Sequence, residues 1–331
     1  MTNGQQSFKL LIMGDSVLWG QGLYEYQKIH TLMVEALRHN LKGMAVTATL
    51  LAHSGAIIGE PDDKTTEPPL KGDYANEVPV GNPTVFQQID AALAGQAQDR
   101  TVNAVILNGG INDLDVTTIV NPFAPFLDRR LKNCFYDRLK PLIERVYHAF
   151  PEAVVIVVGY YLFFSSESEK AVVLSVLKAM GVNLNVPGLS TSINAYLLDW
   201  FARERIINRF TYVHDEANAL MRQAIVDTVT LLPEASSRVY FCDPKFRPEH
   251  AIGASQSLLY GIAPDLSPQD PDEIASGRAR ACAENADRLS LVRQVACPRA
   301  SAAHPNPAGA QHYAEAILTD LRYALPALFV S

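Results

Sequence analysis

Four short stretches of this chain carry residue types that suit nucleophilic chemistry. The first is Gly14-Asp15-Ser16, which ends the apolar run Phe8–Met13 and is followed by Gly20 and Gly22. A fully buried strand would thus deliver Ser16 to the rim of a parallel sheet, beyond the strand ends, where ligands bind. A plain helix N-cap by Asp15 or Ser16 would account for the same residues in structural terms. The second stretch, "LAHSGAIIGE", places Gly55 after the next apolar run, and the third, "LNGGINDLD", places Gly110 and Asn112 after another. The fourth, "HPNPAGAQHY", puts His304 just before the last helical segment. A hydroxyl, a backbone amide, a carboxamide and an imidazole converging on one point would be the parts of an acyl-transfer site. A serine is a weak nucleophile until a base takes its proton. An imidazole titrates near neutrality and serves as base and then acid. A tetrahedral oxyanion needs fixed hydrogen-bond donors, and losing one costs about 3 kcal/mol.

The elements that would position these residues follow from periodicity. Short, β-branched apolar runs lie at Phe8–Met13, Met44–Leu51, Asn103–Asn108, Ala153–Gly159 and Arg238–Cys242. Runs without alternation suit a parallel sheet covered on both faces. Helical patterns lie between them, at about Tyr26–Asn40, Thr84–Ala94, Phe126–Phe150, Thr191–Asn208, His214–Leu232 and Pro307–Leu325. The βαβα rhythm predicts a doubly wound α/β sheet with right-handed crossovers. Three stretches interrupt it: residues 60–83, rich in proline; residues 160–190, aromatic and then helical in pattern; and residues 243–300, rich in Pro, Gly, Asp and Ala. The strands run through to the end of the chain. The expectation is therefore one domain over residues 1–331 with lid-like insertions at about 60–83, 160–190 and 243–300.

Bulk composition narrows the function classes. The chain has 331 residues and a formal net charge of -7, with 48% hydrophobic and 19% charged residues. No basic face is expected, which weighs against nucleic acid. No apolar stretch approaches the roughly 18 residues of a membrane span. The first residues, "MTNGQQSFKL", carry no signal-peptide pattern, so a cytoplasmic location is expected. The four cysteines, Cys134, Cys242, Cys282 and Cys297, fit no zinc-ligand spacing and read as reduced thiols. Cys282 and Cys297 bracket one short segment and could pair in an exported protein.

The blocks Gly14-Asp15-Ser16-Val17, Gly55, Gly110-Ile111-Asn112-Asp113 and His304-Pro305-Asn306 resemble, in order and over nearly the whole chain, those of the SGNH hydrolases, the GDSL esterase/lipase family. The resemblance implies a three-layer, flavodoxin-like α/β/α sandwich of about five strands that cleaves esters of small molecules without metal or cofactor. It also implies Ser16 as nucleophile and His304 as base. The Ser16 amide, the Gly55 amide and the Asn112 side chain would form the oxyanion hole.

One position departs from the pattern. The family usually carries Asp three residues before the histidine, and here that position is Ser301. A backbone carbonyl near Ser301, the Ser301 hydroxyl, or an acid such as Asp287 or Glu284 could receive the second ring N–H of His304. The carbonyl is the favoured acceptor, giving a Ser–His dyad of modest turnover. Trp19 could wall an acyl pocket or belong to the core, and His53 could line the site or be a neutral second-layer residue. Asp15 reads as holding the turn, and Asp113 with Asp115 as turn and cap residues. The stretch "DPKFRPEH" (Asp243–His250) reads as a polar loop rather than a metal cluster. The apolar residues Leu162, Phe163, Phe164, Val172, Val173, Leu174, Val176 and Leu177 could overhang the site or form the insertion's own core. Two other functions fit the same residues: a deacetylase of acetylated carbohydrate, and a binding protein on a hydrolase scaffold. The pattern defines no oligomeric state.

Overall fold

The computed structural model describes residues 7–65, 67–95, 101–114, 118–119, 125–179, 205–263 and 266–329. Each apolar run forms a strand: β1 (Ser7–Met13), β2 (Ala45–Leu50), β3 (Ala104–Leu107), β4 (Val154–Val158) and β5 (Val239–Cys242). All neighbours are parallel, in the order β2-β1-β3-β4-β5. Every residue of β3 and β4 is buried, so neither strand has a solvent face to alternate with. Edge strand β2 does alternate, burying Val46 while Thr47 and Thr49 face out.

The longer helices are α1 (Ile29–Asn40), α2 (Val85–Gly95), α3 (Leu139–Ala149), α4 (Lys170–Ala179), α5 (Ile207–Leu231), α6 (Asp272–Glu284) and α7 (Pro307–Ala324). One helical layer pairs α1 with α7, and the other sets α2 and α5 beside α3. With the sheet between them this is a three-layer α/β/α sandwich. Between β1 and β3 the winding changes direction, which opens a crevice beyond their carboxyl ends.

The helical pattern at 126–150 is interrupted. A helix at Leu127–Lys132 passes into a wide π turn at Asn133–Asp137 before α3 begins. Pro141 supplies the reason, since it has no N–H for the Asp137 carbonyl and its ring crowds that position. Helix α5 starts seven residues before the expected His214, because Ile207, Phe210 and Val213 continue its buried face. Most of the helix expected at 191–208 lies outside the described residues.

The insertions differ in character. From the 160–190 segment, Val173, Val176 and Leu177 join the main core. Segments 60–83 and 243–300 share a satellite core of Val78, Val80, Ala281, Cys282, Leu289 and Cys297, while Phe246, Ile252, Leu259, Tyr260 and Ile262 of the second join the main core. Helix α6 makes the second of these more regular than the sequence pattern suggests.

The expectation of four reduced thiols fails at this satellite core. Cys282 and Cys297 form a disulfide, with Cα atoms 6.0 Å apart, while Cys134 and Cys242 are free and buried. The turn between α6 and the helix at Leu291–Ala296 brings the two sulfurs together. Closing a segment of 15 residues is worth about 3 kcal/mol in the chain-entropy account. Thiol titration of the unfolded, unreduced protein should therefore count only Cys134 and Cys242, and reduction should lower the thermal midpoint. A count of four thiols without reductant would show the pair open.

Candidate active site

At the end of β1 the chain turns sharply at Gly14 (φ 146°). A side chain there would displace the Asn108 carboxamide, because a Cβ would lie 1.8 Å from its oxygen. Asn108 follows β3, the neighbouring strand. Its carboxamide accepts from the Asp15 amide and donates to the Asp15 carboxylate, each at 2.9 Å. Gln88 of α2 clamps the same turn by accepting from the Gly14 amide (2.7 Å) and donating to its carbonyl (3.0 Å). Asp15 caps the helical turn Ser16–Trp19 by accepting from the Val17 amide at 2.9 Å. Its other oxygen accepts from the Tyr160 hydroxyl at 2.5 Å. Burial pushes the Asp15 carboxyl up, and the Tyr160, Val17 and Asn108 donors oppose the shift. All of Asp15's oxygens are engaged in holding the turn that presents Ser16.

The loop after β2 meets the turn after β3. Gly55 adopts φ 79°, and a Cβ there would sit 2.6 Å from the Pro79 carbonyl carbon. Asn112, in the helical turn Ile111–Leu114, donates to the Ala56 carbonyl at 3.0 Å. The adjacent Asp113 accepts from the Ile58 amide at 3.0 Å and from Arg138 at 3.1 Å. Two consecutive side chains thus fix the Gly55 loop to the Asn112 turn. Among the described residues, neither the Ser16 amide nor the Gly55 amide has an acceptor.

His304 arrives from the other side. Its Nε2 lies 2.8 Å from the Ser16 Oγ. Its amide donates to the Ser301 carbonyl (2.9 Å), and its carbonyl accepts from the Tyr260 amide (2.8 Å). The residue before it, Ala303, is held in the left-handed region (φ 66°) and accepts from the Tyr161 hydroxyl at 2.7 Å. The expected bond from the ring to a carbonyl is not formed. Nδ1 is buried and has no hydrogen-bond partner among the described residues. The Ser301 carbonyl accepts from the His304 amide, and the carbonyls of Ala302, Ala300 and Ser301 favour a protonated ring without any of them forming a full hydrogen bond to it. Burial dominates and, with Arg278, pushes the ring down to about 4, against those carbonyls. Glu284 and Asp287 are exposed and do not reach the ring.

The Ser301 hydroxyl points elsewhere. It donates to Asp270 at 2.7 Å and accepts from Arg278 at 3.2 Å. The fully buried Arg278 grips Asp270 with two bonds (2.8 and 3.1 Å) and reaches Glu77 at 3.2 Å. Glu77 also accepts from Trp19 Nε1, Gln21 and the Gly22 amide at 2.9–3.1 Å.

A cavity of about 160 Å³ opens beside Ser16, and Gly55, Asn112 and His304 line it too. Its wall is apolar, with Phe163 stacked on Phe210 at 4.9 Å and Ile119, Phe135 and Val213 alongside. Of the apolar residues at 162–177, only Phe163 lines this cavity. Trp19 and His53 line a different, more polar depression. The Trp19 indole is turned toward Glu77 with the Lys28 ammonium 3.3 Å over its ring, so it is not an acyl-pocket wall. His53 donates Nδ1–H to the Ser54 carbonyl at 2.8 Å, and burial pushes its ring down. Asp115 lies outside the described residues, and Asp243 pairs with Arg222. Sequence reasoning missed Asn108, Gln88, Tyr160, the Arg278 network and His214, which also lines the cavity.

Neither a protein-family model nor a curated protein sequence matches the chain. Among solved structures it is similar to an extracellular lipase from Streptomyces rimosus, at 14% identity and a TM-score of 0.46, covering 96% of this chain and 100% of that one. It is also similar to a family two carbohydrate esterase from Clostridium thermocellum, at 14% identity and 0.47, covering 100% and 67%. A phospholipase A1 from Streptomyces albidoflavus gives 16% identity and 0.42, covering 78% and 88%. Likenesses at these values carry no functional weight.

The buried network generates a stability prediction. Arg278→Met would leave the Asp270 and Glu77 carboxylates buried without their cation, at a cost of about 3–5 kcal/mol. Urea denaturation measures it, and a loss under about 1 kcal/mol, the size of an ordinary substitution, would show that the carboxylates find other partners.

Proposed function

We propose that the chain is a serine hydrolase of carboxylic esters, with Ser16 as nucleophile and His304 as general base. The observation that carries this reading is the 2.8 Å contact between the Ser16 Oγ and His304 Nε2 at the mouth of an apolar cavity. With its proton on Nδ1, the neutral imidazole accepts the Ser16 proton as Oγ attacks the ester carbonyl. The Ser16 amide, the Gly55 amide and the second N–H of the Asn112 carboxamide are the donors for the oxyanion. Collapse of the tetrahedral intermediate expels the alcohol, which takes the proton from Nε2. Water then repeats the sequence on the acyl-enzyme. Without a carboxylate on Nδ1, the imidazolium is less stabilised than in a triad, and turnover should be modest.

Cavity size points to the acyl group. An engineered apolar cavity of about 150 Å³ admits benzene, so a space of about 160 Å³ suits a short or aryl acyl group, not a long chain. On p-nitrophenyl esters from acetate to palmitate, turnover should peak among the short acyl groups. Activity confined to acetate, with acetylated sugars as better substrates, would favour the deacetylase reading. A fluorophosphonate probe should label the native protein at Ser16, and Ser16→Ala should lose several orders of magnitude in turnover. An unlabelled Ser16 would leave a binding protein.

The depressed His304 ring sets the pH profile. The base must be neutral, and a ring at about 4 stays neutral well below the ordinary 6.5. The acid limb of kcat/KM should therefore have its midpoint at about pH 4, with activity lost as pH falls through it. A midpoint near 6.5 would mean that solvent or a hydrogen bond reaches Nδ1 in solution.

A further inference from the structure

Ser54 immediately precedes Gly55, is 1% exposed and lines the Ser16 cavity. Its hydroxyl is buried and has no hydrogen-bond partner among the described residues. The Ser54 carbonyl accepts from His53, and the Asn112 carboxamide has one N–H on the Ala56 carbonyl. A buried hydroxyl without a partner is costly, and alanine would fill nearly the same space without that cost. Its presence in the wall of a cavity points to a group that enters the cavity.

Covalent geometry says where that group lies. Four bonds separate the Ser54 Oγ from the Gly55 nitrogen, through Cβ, Cα and the carbonyl carbon, so the two atoms are within about 5 Å of each other, close enough to donate to one oxygen. Both residues line the same cavity. We propose that the Ser54 hydroxyl is a fourth hydrogen-bond donor to the oxyanion that forms when Ser16 attacks. This rests on the reading of Ser16 as nucleophile. In the step, the bond between the Ser16 Oγ and the carbonyl carbon forms, the carbonyl π pair moves onto oxygen, and the Ser16 proton passes to His304 Nε2. Ser54 keeps its proton throughout and contributes only the bond to the new charge. Hydrogen bonds to ionised acceptors are about twice as strong as neutral ones, so this contact matters most in the transition state. It also strengthens the half of the developing ion pair that does not depend on the unpartnered imidazole.

The test is Ser54→Ala on the whole protein with a short p-nitrophenyl ester. The kcat should fall on the order of 10²-fold, with KM within about twofold. The inhibition constant of phenylboronic acid, which forms a tetrahedral anion on the nucleophile, should rise by a similar factor. The thermal midpoint should hold or increase, because the variant removes an unsatisfied buried hydroxyl. A kcat within about threefold of native would overturn the inference. So would a loss confined to KM, or a loss of activity that tracks a lowered midpoint. Ser16→Ala measured alongside separates the two ideas. If it stays active, the nucleophile is wrong; if it is dead while Ser54→Ala is fully active, only the role of Ser54 falls.

Discussion

The buried guanidinium of Arg278 holds together segments that share no strand. Its partners are Asp270, two positions before α6, and Glu77, from the proline-rich segment after β2. Through Glu77 it reaches Trp19, Gln21 and Gly22 behind the turn that carries Ser16. Through the Ser301 hydroxyl and the Pro298 carbonyl it reaches the chain leading to His304. Taking one cation and two carboxylates out of water is expensive, and a network of this kind holds only if every member is satisfied. Here the cation is saturated with acceptors, and Glu77 and Asp270 each accept several donors. The disulfide from Cys282 to Cys297 lies beside it, one turn beyond Arg278 on α6 and next to Pro298.

This arrangement explains the chemical character of the histidine. A carboxylate does stand behind position 301, but it is Asp270, and it is bonded to the Ser301 hydroxyl and Arg278 rather than to the ring. The imidazole consequently faces carbonyl dipoles and, farther off, a positive charge. Both burial and that charge favour the neutral ring, which is the form a base requires. In the proposed mechanism the same features would make the protonated intermediate costly, so donors on the oxyanion side would matter more than beside a full triad.

Much of the fold could be read directly from the chain. Five β-branched runs became five strands because buried parallel strands have no alternation to hide. The pairing of Ser16 with His304 in space was foreshadowed by the position of each at a strand end or helix start. Trp19 was ambiguous for a physical reason: its place in the first turn fixes neither χ1 nor χ2, and Glu77, 58 residues away, decides where the indole goes. Asn108 and Gln88 were invisible as supports because their partners depend on strand register, with Met13 opposite Leu107. Arg278, Asp270 and Glu77 sit in stretches whose sequence carries no local sign of burial. Only the packing of segments 60–83 and 243–300 against one another buries them, and no local pattern encodes that packing.

The histidine and the serine belong to differently anchored parts of the molecule. Ser16, Gly55 and Asn112 follow directly on β1, β2 and β3, the most deeply packed region of the chain. His304 is tied by its own backbone to Tyr260 and Ser301, in the excursion outside the sheet. Loop-rich segments open more readily than a central sheet. A transient opening of the excursion would withdraw the imidazole while leaving Ser16, Gly55 and Asn112 in place. If the chain is the ester hydrolase proposed above, such an opening would leave a state able to hold an ester but without the means to deprotonate Ser16. The fraction of time the excursion stays closed becomes a multiplier on the rate, separate from the chemistry of the site itself.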